Sequence, residues 1–338
     1  MLLTSRCEEL GCEEILVWTD EPSGLRAILV IDDSTLGPAA GGIRTSVYQN
    51  DEEALLEVAA LARSMTYKCA LGGLPAGGAK AVVIANTLAD RPAAFERLGK
   101  YIEGLEGRFR TAGDLGTTDE DLQAVAQSTQ YVHTNTEVLA GAVARGLEMC
   151  IRACARIRGT RNPAGLSIAI QGCGTIGAAL ARRLSGAGAK VLLADLDGDL
   201  VGSLAQELGA HVVSPESILA SEVDILAPCA LGGVINEGTV ADVRARAICG
   251  GANNIVASRG VAYELHKRGV IVVPDILSSG GAVIDGIGAT VMGLDDRTPL
   301  IDSLGETAFE VFERSEHEGL LPVEVAERLA RERIEAAL

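Results

Sequence analysis

Two lysines enclose one glycine-rich stretch, Met65-Thr-Tyr-Lys68-Cys-Ala-Leu-Gly-Gly-Leu-Pro-Ala-Gly-Gly-Ala-Lys80, in a chain with only five lysines among its 29 cationic residues. An amine, unlike a guanidinium, can be desolvated, lose its proton and act as a base. The plain alternative is chance placement of two lysines on a solvated loop. A carboxylate with a defined position follows at Thr111-Ala-Gly-Asp114-Leu-Gly-Thr-Thr118, just ahead of a helix start marked by Thr118 and Asp121. Taken alone, Asp114 reads as a cap or a solvated turn residue.

A second motif concerns phosphate. Gly172-Cys173-Gly174-Thr175-Ile176-Gly177 fits G-x-G-x-x-G between an apolar strand, Leu166 to Gln171, and a helix running to Leu184. The first glycine permits a tight turn, the second lets backbone approach a pyrophosphate, and the third lets helix and strand pack closely. The next strand, Lys190 to Ala194, ends at Asp195, where a carboxylate accepts hydrogen bonds from an adenosine ribose. Asp195 and Asp197 would repel a 2′-phosphate, so NAD is expected rather than NADP. Gly73 to Lys80 fails as a phosphate loop, because Ala79 separates glycine from lysine and Ala81 replaces the magnesium-binding hydroxyl. It reads instead as a flexible loop that brings Lys80 to a small substrate.

These residues need two scaffolds. A length of 338 residues favours two domains, and a composition 48% hydrophobic but only 3% aromatic suits helices packed closely on a parallel sheet. The net charge of −17 disfavours nucleic acid. No apolar run approaches the roughly 18 residues of a membrane span, and the start lacks the basic-then-apolar order of a signal peptide, so a cytoplasmic location is expected. Eight cysteines without paired spacing are expected to be thiols, and four scattered histidines imply no metal site.

Along the chain, Glu14–Trp18 and Leu25–Ile31 read as a hairpin, Leu36–Arg44 as a glycine-rich loop, and 51–65 as a helix capped by Asn50 or Asp51 that delivers Lys68 near its end. A strand at 81–85 and a helix at 91–105 follow. A long helix from Leu139 to Arg156 and a linker at 158–165 precede a regular alternation of strands and helices, the rhythm of a doubly wound sheet. From Thr307 the tail reads as two charged amphipathic helices.

In this order, Gly37-Pro-Ala-Ala40-Gly-Gly-Ile-Arg44, Met65 to Lys68, Gly77 to Lys80, Gly113 to Thr118, Ala227-Pro-Cys229-Ala230-Leu-Gly-Gly233 and Gly251-Ala-Asn253-Asn254 resemble the successive signatures of the Glu/Leu/Phe/Val amino-acid dehydrogenases, most closely the branched-chain and aromatic members. The resemblance spans most of the chain. It implies an α/β protein with an N-terminal α/β substrate domain (1–135), a C-terminal Rossmann domain (136–305) and C-terminal helices (306–338) that could return to the first domain, with the active site in the cleft between the domains. It implies NAD-dependent oxidative deamination of an apolar or aromatic L-amino acid to its 2-keto acid, in a homo-oligomer. Lys68 would hold the substrate carboxylate, Lys80 would act as general base and Asp114 would exchange a proton with the amino nitrogen. Gly41 and Gly42 would let backbone approach the substrate, and Ala40 would line an enlarged pocket. Gly172 to Gly177, Asp195, Cys229, Ala230 and Asn253 would contact NAD, while Asn254 would orient substrate.

Two segments depart from the family pattern. Tyr131 to Gly141 is short, lacks the family's prolines and has Leu139 where a threonine is usual. Pro274 to Gly281 lacks an asparagine. Both bear on hinge geometry, nicotinamide placement and pocket lining. They also leave room for a specialised amino or keto acid of secondary metabolism as the substrate, or for an NAD-binding regulatory protein without catalysis.

Overall fold

A glycine-rich segment can be a loop or a strand whose neighbours approach too closely for side chains, and here it is the second. The computed structural model of the protein describes residues 3–134, 139–160 and 162–338. The chain forms two compact units: residues 1–137, 286–295 and 330–338, and residues 138–285 with 296–329.

The first unit opens with α1 (Leu3–Leu10), β1 (Glu14–Asp20), β2 (Leu25–Asp33), β3 (Ala39–Ser46) and α2 (Asp51–Leu71). Then come β4 (Gly77–Ile84), α3 (Arg91–Glu103), β5 (Phe109–Gly113) and α4 (Asp119–Ala126). Its sheet has the order β1-β2-β4-β3-β5, with β1, β2 and β4 antiparallel in turn and β3 parallel to both β4 and β5. Alternation divides its two faces. Leu25, Ala27, Leu29, Ile31, Ile43, Ala79, Ala81 and Phe109 pack with α3 residues Phe95, Leu98 and Ile102. Each of these larger side chains contributes about 1.5–3 kcal/mol by burial. On the other face Ile28, Val30, Val82 and Ile84 meet Tyr48 and the α2 row Ala54, Val58 and Ala62.

Two expectations are corrected. Leu36 to Arg44 is not a loop throughout, because Gly41 and Gly42 lie within β3: a Cβ on Gly41 would lie 1.7 Å from the Ala79 carbonyl oxygen. Nor is Gly73 to Lys80 a flexible loop, since Lys80 sits within β4 at the centre of the sheet. There Gly78 has no side chain because a Cβ would meet the Thr66 nitrogen of α2 at 2.1 Å. α2 also runs to Leu71 rather than 65, with Asn50 as its cap accepting from the Glu53 N–H.

The second unit contains α5 (Leu139–Ile157), β6 (Ser167–Gln171), α6 (Thr175–Gly186), β7 (Lys190–Ala194), α7 (Gly198–Leu208) and β8 (His211–Val212). After these come β9 (Ile225–Pro228), β10 (Ala247–Ile248), α8 (Arg259–Lys267), β11 (Ile271–Val272), α9 (Asp275–Ser278) and α10 (Gly280–Met292). α11 (Thr298–Glu318) and α12 (Pro322–Glu335) end the chain. The six strands are parallel in the order β11-β10-β9-β6-β7-β8, the doubly wound arrangement expected, with its reversal point between β6 and β9. α11 starts at Thr298, nine residues before the position read from the sequence, and lies along α5, where Arg145 forks onto Asp302 at 2.6 Å. Of the divergent stretch Tyr131 to Gly141, residues 135–138 lie outside the described residues. Pro274 to Gly281 forms α9 and the start of α10, and Asp275 accepts the Asn254 N–H at 2.9 Å. No helix among the described residues is long and apolar enough to cross a membrane.

Candidate active site

Strand register decides which side chains share a face. Ala40 pairs with Gly78 and Arg44 with Val82, while Gly42 pairs with Ala112, so Ala40, Gly42 and Arg44 of β3 face α2 together with Lys80 of β4. Asp114, one residue past β5, continues that face. Its turn is clamped to β3, with the Thr45 N–H on the Leu115 carbonyl at 2.9 Å and the Thr117 hydroxyl on the Ile43 carbonyl at 2.8 Å. Gly116, with φ of +75°, lets that turn press within 2.0 Å, measured from a hypothetical Cβ, of the Thr45 oxygen. A reciprocal capping box between Thr118 and Asp121 then starts α4.

The result is a buried ion pair. Lys80 Nζ lies 2.8 Å from Asp114 Oδ2, and Lys80 is only 7% exposed. Burial lowers the Lys80 amine below the usual lysine range, and the Asp114 charge opposes that shift without cancelling it. Burial acts on Asp114 in the upward sense, but the Lys80 charge and hydrogen bond, with Arg44, outweigh it and bring the carboxyl to about 2. A Cβ on Gly42 would stand 2.8 Å from the Gly113 carbonyl oxygen of β5 and 3.1 Å from both Lys80 Nζ and Asp114 Cβ, so glycine here both lets β5 approach and leaves space beside the pair. Gly41 differs: its absent side chain serves the approach of β3 to β4 on the opposite face.

Arg44 and Glu57 extend the cluster. Arg44 Nε reaches the same Asp114 oxygen at 3.1 Å, and Arg44 Nη1 meets Glu57 Oε1 of α2 at 2.7 Å. Sequence reading assigned neither a role, although Glu57, Leu61, Ser64 and Lys68 recur at i, i+4, i+7 and i+11, one stripe of a helix. That spacing was the signal available. Lys68 itself closes the last turn of α2, half-buried, and Ala40 is fully buried at the Gly78 end of the face. The structure therefore groups Gly42, Lys80 and Asp114, sets Ala40 one strand step away and puts Lys68 on the helix that covers that face.

In the second unit the predicted dinucleotide residues gather at the strand ends beside the sheet's reversal point. Gly172 has φ of +94°, and a Cβ there would strike Ala230 at 2.7 Å. A Cβ on Gly177 would lie 1.8 Å from the Gly172 oxygen, so the third glycine is required by helix–strand contact. Cys229 donates its N–H to the Gln171 carbonyl at 2.7 Å, and Ile176 abuts Gly251. α6 begins at Gly174 with no side-chain cap, leaving its first N–H groups open to an anion, and no protein atom lies within 4 Å of a Cβ built there. Asp195 accepts the Asp197 N–H at 3.0 Å and the Cys173 N–H at 2.5 Å, which in that order hold its carboxyl below the usual range. Asp197 has a structural task, capping α7 through the Asp199 and Leu200 N–H groups. Asn253 and Asn254 are exposed after β10, Asn254 with φ of +51°. These residues fit a dinucleotide: an open helix N-terminus for the diphosphate and a fixed carboxylate for the ribose.

Residues 14–131 match the family model described as Glu/Leu/Phe/Val dehydrogenase, dimerisation domain, and residues 193–287 match that of Glutamate/Leucine/Phenylalanine/Valine dehydrogenase. Leucine dehydrogenase of Bacillus cereus is 36% identical over 97% of this chain and 92% of its own. L-tryptophan dehydrogenase of Nostoc punctiforme is 33% identical over 99% of this chain and 96% of its own. The crystal structure of L-tryptophan dehydrogenase from Nostoc punctiforme superposes with a TM-score of 0.91, covering 99% of each chain.

Proposed function

Since the chain belongs to the Glu/Leu/Phe/Val dehydrogenase family, an amino-acid dehydrogenase family, we propose that it catalyses reversible, NAD-dependent oxidative deamination of an apolar or aromatic L-amino acid. The observation that carries this reading is the buried Lys80 amine 2.8 Å from Asp114, with a glycine beside them. A binding protein has no use for an amine whose charge is disfavoured by burial.

In this reading residues 1–135 supply the substrate chemistry, residues 136–305 carry NAD and residues 306–338 form accessory helices. Lys68 holds the substrate carboxylate. Asp114 takes a proton from the ammonium so that the nitrogen lone pair can assist loss of hydride from Cα. NAD, held by Gly172 to Gly177 and Asp195, would supply the hydride acceptor. Neutral Lys80 then removes a proton from water as its oxygen adds to the iminium carbon and releases that proton to solvent. Asp114 returns its proton to the nitrogen, and the carbinolamine collapses as Lys80 takes the hydroxyl proton and ammonia leaves, to be protonated in solution. Overall, amino acid, NAD and water give keto acid, ammonium, NADH and one proton. Gly42 leaves room for the reacting carbon, Ala40 for the side chain, and Asn253 and Asn254 orient nicotinamide and substrate. The matched dimerisation-domain model supports a homo-oligomer.

Assaying a panel of L-amino acids with NAD, and of 2-keto acids with NADH and ammonia, tests the reading by absorbance of the reduced cofactor. The small Ala40 leads us to expect phenylalanine or tryptophan to be accepted at least as well as valine. A clear preference for valine contradicts that selectivity, and no turnover across the panel refutes the function. Asp195→Asn tests cofactor recognition separately. The amide is a weaker acceptor for the Cys173 N–H and the ribose, so KM for NAD should rise by about tenfold with little change in kcat. An unchanged KM removes Asp195 from the cofactor site.

A further inference from the structure

Lys80 can act as a base only in its neutral form, and in that form Asp114 loses the cation that faces it at 2.8 Å. A buried carboxylate left alone would take up a proton and could no longer receive one from the substrate. The structure supplies a replacement. Arg44 Nε lies 3.1 Å from the same Asp114 oxygen, and a guanidinium does not titrate. Arg44 is in turn balanced by Glu57 at 2.7 Å.

We propose that Arg44 is the permanent counter-ion that keeps Asp114 ionised when Lys80 is neutral, and that Glu57 cancels Arg44 so that these four groups carry one net negative charge, apart from Lys68, whose charge the substrate carboxylate balances. With Lys80 protonated, the four groups sum to zero. Loss of its proton leaves a single negative charge, complementary to the ammonium or iminium of a substrate. Arg44 and Glu57 are thus positioning residues, acting on the base and the acid from outside the reacting atoms. This inference rests on the proposed deamination chemistry but concerns a charge state that can be measured without it.

Other groups face Lys80 from every packed element. β3 contributes Arg44, the turn after β5 contributes Asp114, and α2 contributes Glu57, with Lys68 farther along in its last turn. Tyr48, between β3 and α2, stays a neutral phenol because burial, and then Glu57, push it well above the usual range. On β2, Asp32 is engaged by the Thr66 hydroxyl at 2.7 Å and Arg63 at 3.2 Å. Of these groups Arg44 alone, besides Lys80, bonds Asp114 directly, and Glu57 reaches Asp114 only through Arg44.

The signs make the test decisive. Removing a cation favours protonated Lys80 and raises its titration midpoint, whereas removing an anion lowers it. Protein labelled with carbon-13 lysine contains five lysines, and the Lys80 signal is identified by its disappearance in Lys80→Met. We expect Arg44→Met to raise the Lys80 midpoint by on the order of one pH unit and Glu57→Gln to lower it by a similar amount. Arg44→Lys, which keeps the charge, should return it toward the unsubstituted value. The acid limb of kcat/KM for deamination should move in the same directions. Midpoints that stay fixed, or that move the same way in both variants, overturn the proposal. Should Arg44→Met fail to fold, Glu57→Gln decides alone, and no downward shift overturns it. Opposed NMR shifts in a protein that turns over no amino acid would uphold the charge assignment and refute the deamination reading.

Discussion

Replacing Lys80 with alanine should lower kcat by about three orders of magnitude while leaving NAD affinity within about twofold, because general base catalysis contributes on the order of 10²–10⁴. The amine is held inside β4, only 7% exposed, against Asp114 and beside Gly42, so no neighbouring side chain can take its place. Lys80→Arg sharpens the experiment. It preserves the cation and can preserve the ion pair, yet a guanidinium cannot become neutral at working pH, so activity should remain near that of the alanine variant. Recovery of turnover in Lys80→Arg would reduce the lysine to an electrostatic partner, and full activity in Lys80→Ala would remove it from the mechanism. NAD affinity, read by fluorescence of bound NADH, should be insensitive because Gly172 to Gly177 and Asp195 belong to the other unit.

The second large effect is on stability. Gly41→Ala should cost on the order of 3 kcal/mol or more and lower Tm by about 10 °C. The added methyl would stand 1.7 Å from the Ala79 carbonyl oxygen, and β3 cannot retreat because it is paired on both sides, with β4 and β5. Gly202→Ala is the control. That glycine is exposed inside α7 with no atom within 4 Å of the added carbon, so the substitution should be neutral or stabilising by about 0.5–1 kcal/mol. Calorimetric scans of the two variants give the comparison. Equal melting temperatures would mean that β3 is not packed as described.

The Rossmann half was legible because its signals are local. Gly172 to Gly177 and Asp195 lie within one strand–helix–strand unit, and the third glycine answers a contact with Gly172 only five residues back, although the contact that excludes a side chain from Gly172 comes from distant Ala230. The catalytic sheet was less legible for the opposite reason. Gly41, Gly42, Gly77 and Gly78 look like loop residues until strands from elsewhere in the chain are laid against them, and the contact that excludes a side chain from Gly78 comes from Thr66. Lys80 and Asp114 could be named from motif resemblance, but their meeting at 2.8 Å depends on β3 lying between β4 and β5. Glu57 was hidden among ordinary acidic residues of an exposed helix start, and its stripe with Lys68 acquires meaning only once Arg44 is known to reach across.

α12 bears on when this machinery becomes complete. Its last turns touch the end of α2, with Arg331 donating to the Tyr67 hydroxyl at 3.1 Å and Arg333 to the carbonyls of Ala70 and Leu71 at 3.2 and 2.8 Å. Those acceptors flank Lys68 in the helix's final turn. A nascent polypeptide can therefore assemble the strands bearing Lys80 and Asp114 early in translation, yet the turn that presents Lys68 stays unbraced until residue 333 has cleared the ribosome.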